Sequence, residues 1–465
     1  MRLDRIALAD IVTELAAIVG VNRIVTGSTV AERVTSFWNS APMQAKVMVY
    51  PQTTEEVSSV LRCCNARGQS VITQGGLTNC VAAAESTEDD VVLSLDKMNR
   101  ILEIDSIGGT AVVEAGAILQ TVQETVAEQG LLFPLDLGAR GSCTIGGNVA
   151  TNAGGMNVLR YGMMRNLVLG LEAVLADGTV ISSMNRMMKN NAGYDLKQLF
   201  IGTEGTLGVV TRVVLRLFPQ PASRQSALVA MNDFDSVSGF LLKLQRELAD
   251  SLSAFEIMWG DYYAAVTGEN GHRAPLSRDY GFYVIFESEG SHPEADASRF
   301  EEVLEKALAD ELIVDAVIPK SERESRAIWE IREDFEGILV PEPVYLYDIS
   351  LPIRDMAAYV ETVKANVAKR WSGGQCYAIG HVADGNLHIF VRPLEQGDFH
   401  RASDECVYGP LAEVGGSVSA EHGIGTEKLS WLPHSRSAAE IDLMRSLKLS
   451  FDSNNILNPG RVITL

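Results

Sequence analysis

The sequence predicts an α+β protein built in two large parts, and three observations carry that expectation. Strand-like apolar runs such as VITQGG, VVLSL and GFYVIFES alternate with amphipathic helical runs such as EEVSSVLRCC and RFEEVLEKALAD. Glycine is abundant, 40 residues against 15 prolines, and it gathers at strand ends and in loops. A Pro/Ser/Gln-rich break, PQPASRQS, places a boundary around residues 220–225. With 465 residues, 46% of them apolar, there is chain enough to bury large cores without disulfide or metal staples.

In chain order, MRLDRIALADIVTELAAIVG reads as an amphipathic helix whose charges interrupt the apolar stretch a signal peptide would need. KVMVYPQTTEEVSSVLRCCNARG reads strand, turn, helix. Thr53 and Glu56 there have capping-box spacing, and Val57, Val60 and Leu61 give one apolar face. EIDSIGGTAVVEAG is a hairpin around Gly108-Gly109. ILQTVQETVAEQG is a helix with Ile118, Leu119, Val122 and Val126 inward. LDLGARGSCTIGGNVATNAGGMNVLRYG has little periodicity, and so long a loop inside a compact domain reads as a binding element. VLGLEAVLADGTVISS gives two strands around Asp177-Gly178, and FIGTEGTLGVVTRVVLRLFP leads to the break. Beyond it, PVYLYDISLP is a strand closed by Pro352, and RDMAAYVETVKANVAKR a helix with Met356, Val360, Val363 and Val367 on one side. SAAEIDLMRSLKLSFDSNNILNPGRVITL reads as a helix followed by an ordered turn.

The formal charge, 39 Lys+Arg against 60 Asp+Glu or -21, disfavours long contacts with nucleic acid or anionic lipid. It leaves room for one anionic small molecule held where a few basic groups converge. Cys63, Cys64, Cys80, Cys143, Cys376 and Cys406 lack CxxC spacing and the density of a secreted framework, so reduced thiols are expected. The most apolar stretch, NLVLGLEAVLADGTVI, carries Glu172 and Asp177 and is too short for a membrane span. These features lead to the expectation of a soluble cytoplasmic protein.

No GxGxxG or GxxxxGK[ST] occurs in the needed context, which disfavours a Rossmann site and a P-loop. Four glycine-rich segments nevertheless bring backbone close to something: Gln74 to Asn79, Gly138 to Gly147, Asn152 to Gly155, and Gly202 to Gly208. Ser142, Thr144, Thr151 and Asn152 add neutral donors. The alternative is four unrelated tight turns. GHVADGNLHIF holds His381 and His388, and SAEHGIGTEK holds Glu421 and His422. Two His and one Glu make a sensible Zn²⁺ set, and the alternative is loop histidines satisfying local hydrogen bonds. Arg332 in AIWEIRED suits a substrate carboxylate or a surface pair with Glu333 or Asp334.

Together, VITQGGLTN, LDLGARGSCTIGGNVATNAGGMNVLRYG, VLGLEAVLADGTVI, GTEGTLGVVT and NPGR resemble the FAD-binding domain of the vanillyl-alcohol oxidase/PCMH superfamily. Within it they look most like FAD-linked D-2-hydroxyacid dehydrogenases, and LDLGARGSCTIGGNVATNAGG is especially similar to D-2-hydroxyglutarate dehydrogenases. The resemblance implies an N-terminal helical segment 1–40, a PCMH-type FAD-binding domain 41–221, an α+β substrate (cap) domain 222–415, and a C-terminal segment 416–465 returning toward the flavin. Carried over by position, Thr73, Gln74, Gly75, Gly76, Leu77, Thr78 and Asn79 would hold the pyrophosphate. Pro134, Gly138, Ser142, Thr144, Gly146, Thr151, Asn152 and Gly154 would line the flavin. Glu204, Gly205, Gly208 and Val210 would flank it, with Asn458 from NPGR. The usual GGNTG stands here as GGLTN, and the glycine pair after it as Ala82 and Ala83. No His stands in this loop for covalent attachment, so noncovalent FAD is implied.

By the same resemblance His381, His388 and Glu421 are metal ligands for zinc or another divalent ion, His422 is the base, and Arg332 binds the carboxylate. Asp384 and Asn386 would orient the motif or reach the substrate. D-2-hydroxyglutarate enzymes carry Thr, Lys and Asn where Glu336, Leu346 and Phe390 stand here, which implies a smaller or less charged D-2-hydroxy acid. D-2-hydroxyglutarate, D-lactate and D-malate are the candidates. Electrons would pass to an electron-transfer flavoprotein, a quinone or another carrier, and a homodimer is expected. An O₂-using FAD oxidase and a non-catalytic flavin-binding subunit are the alternatives.

Overall fold

A computed structural model describes residues 5–36, 39–269, 271–340 and 342–465, with residues 5–9 and 336 described by their backbone alone. The chain divides into two compact units. The first comprises Met1–Gly154, Gly162–Gln220 and Glu421–Leu465; the second, Gly155–Tyr161 and Pro221–Ala420. The architecture is α+β in both.

The first unit opens with helix Arg5–Val19, which buries Ile11, Leu15 and Val19. Its first sheet contains β1 (Ile24–Thr26), β2 (Val47–Val49), β3 (Val71–Gln74) and β4 (Val91–Ser94) in the order β1-β2-β4-β3. Strands β2, β4 and β3 run parallel, and β2 and β4 are buried along their whole length. Unbroken runs such as VMV and VVLS suit strands covered on both faces. Helix Thr54–Ala66 makes the crossover from β2 to β3. Thr53 caps it, its side chain accepting from the Glu56 amide, and Val57, Val60 and Leu61 are buried. Only half of the expected capping box forms, because the Glu56 carboxylate accepts from Arg23 and the Gln52 amide instead.

The second sheet is antiparallel: β5 (Ile101–Asp105), β6 (Thr110–Glu114), β8 (Val168–Val174), β9 (Val180–Ser183) and β10 (Val209–Arg216), in the order β5-β6-β10-β8-β9. A short pair, β7 (Leu131–Leu132) and β11 (Phe218–Pro219), lies beside it in sequence. Helix Leu119–Ala127 buries Leu119, Val122 and Val126. The fourth residue expected inward, Ile118, precedes the helix and is 39% exposed. Glu172 ties helix to sheet: its carboxylate accepts from Thr54 at 2.6 Å, Thr211 at 2.9 Å and Arg212 at 2.7 Å.

The C-terminal tail belongs to this unit. Helix Ala438–Phe451 starts with a complete capping box of Ser437 and Glu440. Leu457 then forms a parallel bridge to Val71.

The second unit holds seven antiparallel strands: β12 (Ser223–Met231), β13 (Leu252–Trp259), β14 (Phe282–Gly290), β15 (Asp315–Val317), β16 (Tyr345–Ser350), β17 (Gln375–Gly380) and β18 (Asn386–Arg392). Their order is β15-β12-β14-β13-β17-β18-β16. Long helices Phe234–Glu247, Pro293–Ala309 and Met356–Arg370 supply buried faces such as Phe240, Phe300 and Val363. Residues 155–161, inside the glycine-rich stretch, join this unit through Glu289, which accepts from Arg160 at 3.1 Å and Tyr161 at 2.8 Å. None of the six cysteines forms a disulfide, and four of them are buried. Among the described residues no helix is long and apolar enough to cross a membrane.

Candidate active site

In the first unit the ends of β3, helix Ile145–Thr151 and the loop after Phe200 border a cleft. Thr73, Gln74, Gly75, Thr144 and Gly146 line one part of it; Glu204, Gly205, Gly208, Val210 and Asn458 line another. Asn458 joins these parts. Its Oδ1 accepts from the Thr73 amide at 2.8 Å, and its Nδ2 donates to the Glu204 carbonyl at 2.6 Å. Asn suits a position with φ of 41°, which most residues avoid. Thr73 Oγ1, Gln74 Oε1 and Thr144 Oγ1 are buried here without a hydrogen-bond partner in the protein. Buried polar atoms of this kind are normally satisfied, so they ask for a ligand. Threonine hydroxyls can donate to phosphate, whereas the Gln74 oxygen only accepts and needs a hydroxyl or amine. FAD carries both phosphates and hydroxyls, so the residues fit it.

The other residues expected at the cofactor stand outside the cleft lining. A Cβ on Gly76 would strike the Ser142 carbonyl, so Gly76 and Ser142 are pressed together behind it. Leu77 and Ala82, where the loop departs from the family pattern, hold left-handed φ of 57° and 56°. Asn79 accepts from the Ala83 amide and closes the turn after Thr78. Asn152 ends helix Ile145–Thr151 at φ 50° and accepts from the Arg165 amide, while Thr151 donates to the Gly147 carbonyl. A Cβ on Gly138 would meet nothing within 4 Å, so packing does not require glycine there. Pro134 lies between these loops in sequence, outside the lining.

Glu204 has a second task. Its carboxylate accepts from the Ile424 amide at 2.7 Å and the Gly425 amide at 2.9 Å. Burial pushes its pKa up against the pull of those amides. The loop that carries Glu421 and His422 is thereby fastened to the cleft wall. A Cβ on Gly154 would collide with the Glu421 carboxylate, which explains the glycine.

In the second unit β17 ends one residue before His381, a 3₁₀ turn Val382–Asp384 follows, and β18 starts at Asn386. His388 sits opposite Ile379 in register. The two imidazoles are 5.4 Å apart at 83°, each offering a nitrogen within 4.8 Å of the other's. Two imidazoles so close are a chemically sound donor pair for Zn²⁺. Asp348, fully buried on β16, accepts from Asn386 at 2.8 Å and the Ala420 amide at 3.0 Å, and lies 3.9 Å from His388 Nδ1. Asn386 also donates to the Ile349 carbonyl, and Asp384 accepts weakly from the Asn386 amide at 3.3 Å.

Arg332 stands in the last turn of helix Glu322–Glu333, only 8% exposed. Its partner is the buried carboxylate of Glu256. Its Nε donates to Glu256 Oε2 at 3.1 Å, and Nη2 lies 3.0 Å from the same carboxylate. Glu256 Oε1 meets His381 Nδ1 at 2.6 Å. Burial opposes ionisation of Glu256, but His381 and Arg332 outweigh it and hold the pKa below the usual carboxylate range. Sequence reasoning missed Glu256, Asp348 and the anchoring task of Glu204. The signal for Glu256 was present: one carboxylate in LSAFEIMW, a strand buried at every position. Leu346 pairs in register with Phe390, and both belong to an apolar cluster with Phe335. The side chain of Glu336 lies outside the described residues.

The chain matches a known FAD binding domain over residues 45–183 and the C-terminal domain of FAD linked oxidases over residues 220–462. It is 39% identical over 425 residues to a probable mitochondrial D-2-hydroxyglutarate dehydrogenase of Oryza sativa subsp. indica, covering 90% of this chain and 75% of that protein. To the mitochondrial D-2-hydroxyglutarate dehydrogenase of Bos taurus it is 40% identical over 421 residues, covering 90% and 77%. To the D-2-hydroxyglutarate dehydrogenase of Stutzerimonas stutzeri it is 34% identical over 460 residues, covering 97% and 98%. Substrate-bound p-cresol methylhydroxylase shares the fold at 18% identity, with a TM-score of 0.77 over 98% of this chain and 97% of that one. The cytoplasmic location expected from the sequence is overturned, since the rice and cattle relatives are named mitochondrial. Compartment is written in address segments, which the charge and hydropathy of a folded chain do not report. With both matched domains in order and relatives at this identity covered over three quarters or more of their length, the chain belongs to the FAD-linked oxidases, as an FAD-dependent D-2-hydroxyacid dehydrogenase.

Proposed function

We propose that the protein oxidises a D-2-hydroxy acid to the 2-oxo acid with noncovalent FAD and a divalent metal ion, zinc being the first candidate. The observation that carries this reading is in the second unit, where buried Arg332 shares the carboxylate of Glu256 with His381. A carboxylate-binding cation and a ligand-grade imidazole are thereby locked to one group. The bound groups supply hydride acceptance from C2 at flavin N5 and polarisation of the C2 oxygen by the divalent ion.

The chain's own residues do the rest. Arg332 spends Nε and Nη2 on Glu256, and its remaining donors orient the substrate carboxylate. His381, His388 and Glu421 hold the ion, and His422 takes the proton of the C2 hydroxyl. Thr73, Gln74 and Thr144 bind FAD through their unpartnered polar atoms. Names of the relatives support D-2-hydroxyglutarate, and one from Schizosaccharomyces pombe, a putative D-lactate dehydrogenase at 35% identity, supports D-lactate. The apolar pair Leu346–Phe390 offers a second carboxylate no cation and so favours D-lactate over the diacids. An electron-transfer flavoprotein, a quinone or another carrier takes the electrons onward.

Flavin bleaching with D-lactate, D-malate and D-2-hydroxyglutarate, before and after chelation, tests this. Bleaching that depends on the metal is expected, with D-lactate preferred. Absence of bleaching by every D-2-hydroxy acid overturns the reaction, and bleaching that survives complete metal removal overturns the metal alone.

A further inference from the structure

Glu256 touches two groups with different jobs. It stands in β13, near the middle of the seven-stranded sheet, at 1% exposure. The next residue, Ile257, pairs in register with Gly380, the last residue of β17 before His381. Both carboxylate oxygens are committed, Oε1 to His381 Nδ1 and Oε2 to Arg332. Tyr262 donates to the Arg332 carbonyl at 3.2 Å and steadies the same helix end.

The chemistry of these contacts is one-directional. An ionised carboxylate only accepts, so the proton of the neutral His381 ring must sit on Nδ1 and the lone pair on Nε2. Arginine only donates, so Oε2 must remain an acceptor. We infer that Glu256 is a positioning residue that fixes the tautomer of His381 for metal ligation through Nε2 and, with the same carboxylate, aims Arg332. This rests on the reading of His381 as a metal ligand and Arg332 as the substrate's carboxylate partner.

Glu256→Gln separates this role from a merely structural one. The amide oxygen must face Arg332, which cannot accept, so the amide nitrogen faces His381. The imidazole then answers with its lone pair on Nδ1 and its proton on Nε2, the wrong arrangement for a ligand. Zn²⁺ or Co²⁺ affinity of the FAD-loaded enzyme, measured against a competing chelator, is expected to fall about 10–100-fold. The flavin spectrum should be unchanged, and KM should move less than metal affinity. Metal affinity within twofold of wild type, in a variant that keeps its flavin, overturns the inference. Wild-type protein that holds no divalent ion overturns the metal reading instead. A second measurement needs no variant of Glu256: ¹⁵N-histidine spectra of the wild-type enzyme, with His381 assigned through His381→Gln, should show the Nδ1–H tautomer. An Nε2–H tautomer rejects the role of Glu256 even if Glu256→Gln fails to fold.

Discussion

Arg332 and Glu256 form a buried pair, and the cost of breaking such a pair lies mainly in the charge left behind. Arg332→Met strands Glu256 in the sheet, a loss of about 3–5 kcal/mol. Urea melts should show that loss together with a raised KM, and Arg332→Met/Glu256→Gln should recover most of the stability but none of the substrate binding. A double variant as unstable as the single one would show that the pair is not the source. Glu172 gives a pH prediction. Burial raises its pKa, but hydrogen bonds from Arg212, Thr54 and Thr211 prevail and lower it. A depressed folded pKa stabilises above the unfolded value, about 4.3, and that contribution is lost as pH falls through the folded value. Acid denaturation should therefore steepen below about pH 4, and Glu172→Gln should be less stable at pH 7 and flatter toward acid. Arg332 was singled out by resemblance alone, and its partner Glu256 stands 76 residues away. Glu204 stood out beside the glycine-rich segment, but its two amide partners are 220 and 221 residues away, and no local pattern encodes such a distance.

At the scale of elements, periodicity and capping chemistry exposed the helices. Thr53 and Ser437 cap where side-chain oxygen and amide spacing require it. Sheet order was not legible, because β10 enters between β6 and β8 and its partners are chosen by the core rather than by neighbours in sequence. Nor was the return of the tail: Asn458 reaches Thr73 across 385 residues. The glycine loops were legible as a group, yet some glycines serve loop-on-loop contact rather than ligand contact. Gly76→Ala should push the 74–79 loop off Ser142 and lower the flavin-to-protein absorbance ratio of purified enzyme, with helix content by circular dichroism unchanged. A full flavin complement would show that the loop yields without cost. Glu204→Ala should release the loop after Glu421, cutting kcat more than it raises KM; an unchanged kcat would assign Glu204 to the cleft alone.

For the whole molecule, charge and chemistry pull in opposite directions. The formal charge of -21 repels an anionic substrate at long range, whereas Arg332 acts only at contact. Low salt extends the repulsion to about 30 Å at 0.01 M ionic strength. Stopped-flow kcat/KM for D-lactate should therefore rise as salt is raised to about 0.15 M, and a fall would mean that the local cations dominate the approach. The division of the chain has a different consequence, for biosynthesis. The first unit needs residues 421–465, including Asn458 and the bridge from Leu457 to Val71, yet residues 221–420 belong to the second unit. On the ribosome, the cleft-forming half emerges first and waits unfinished while those residues are made. At about 5–20 residues per second that delay is roughly 10–40 s. During that wait β3 presents a bare edge, until Leu457 arrives to bridge Val71.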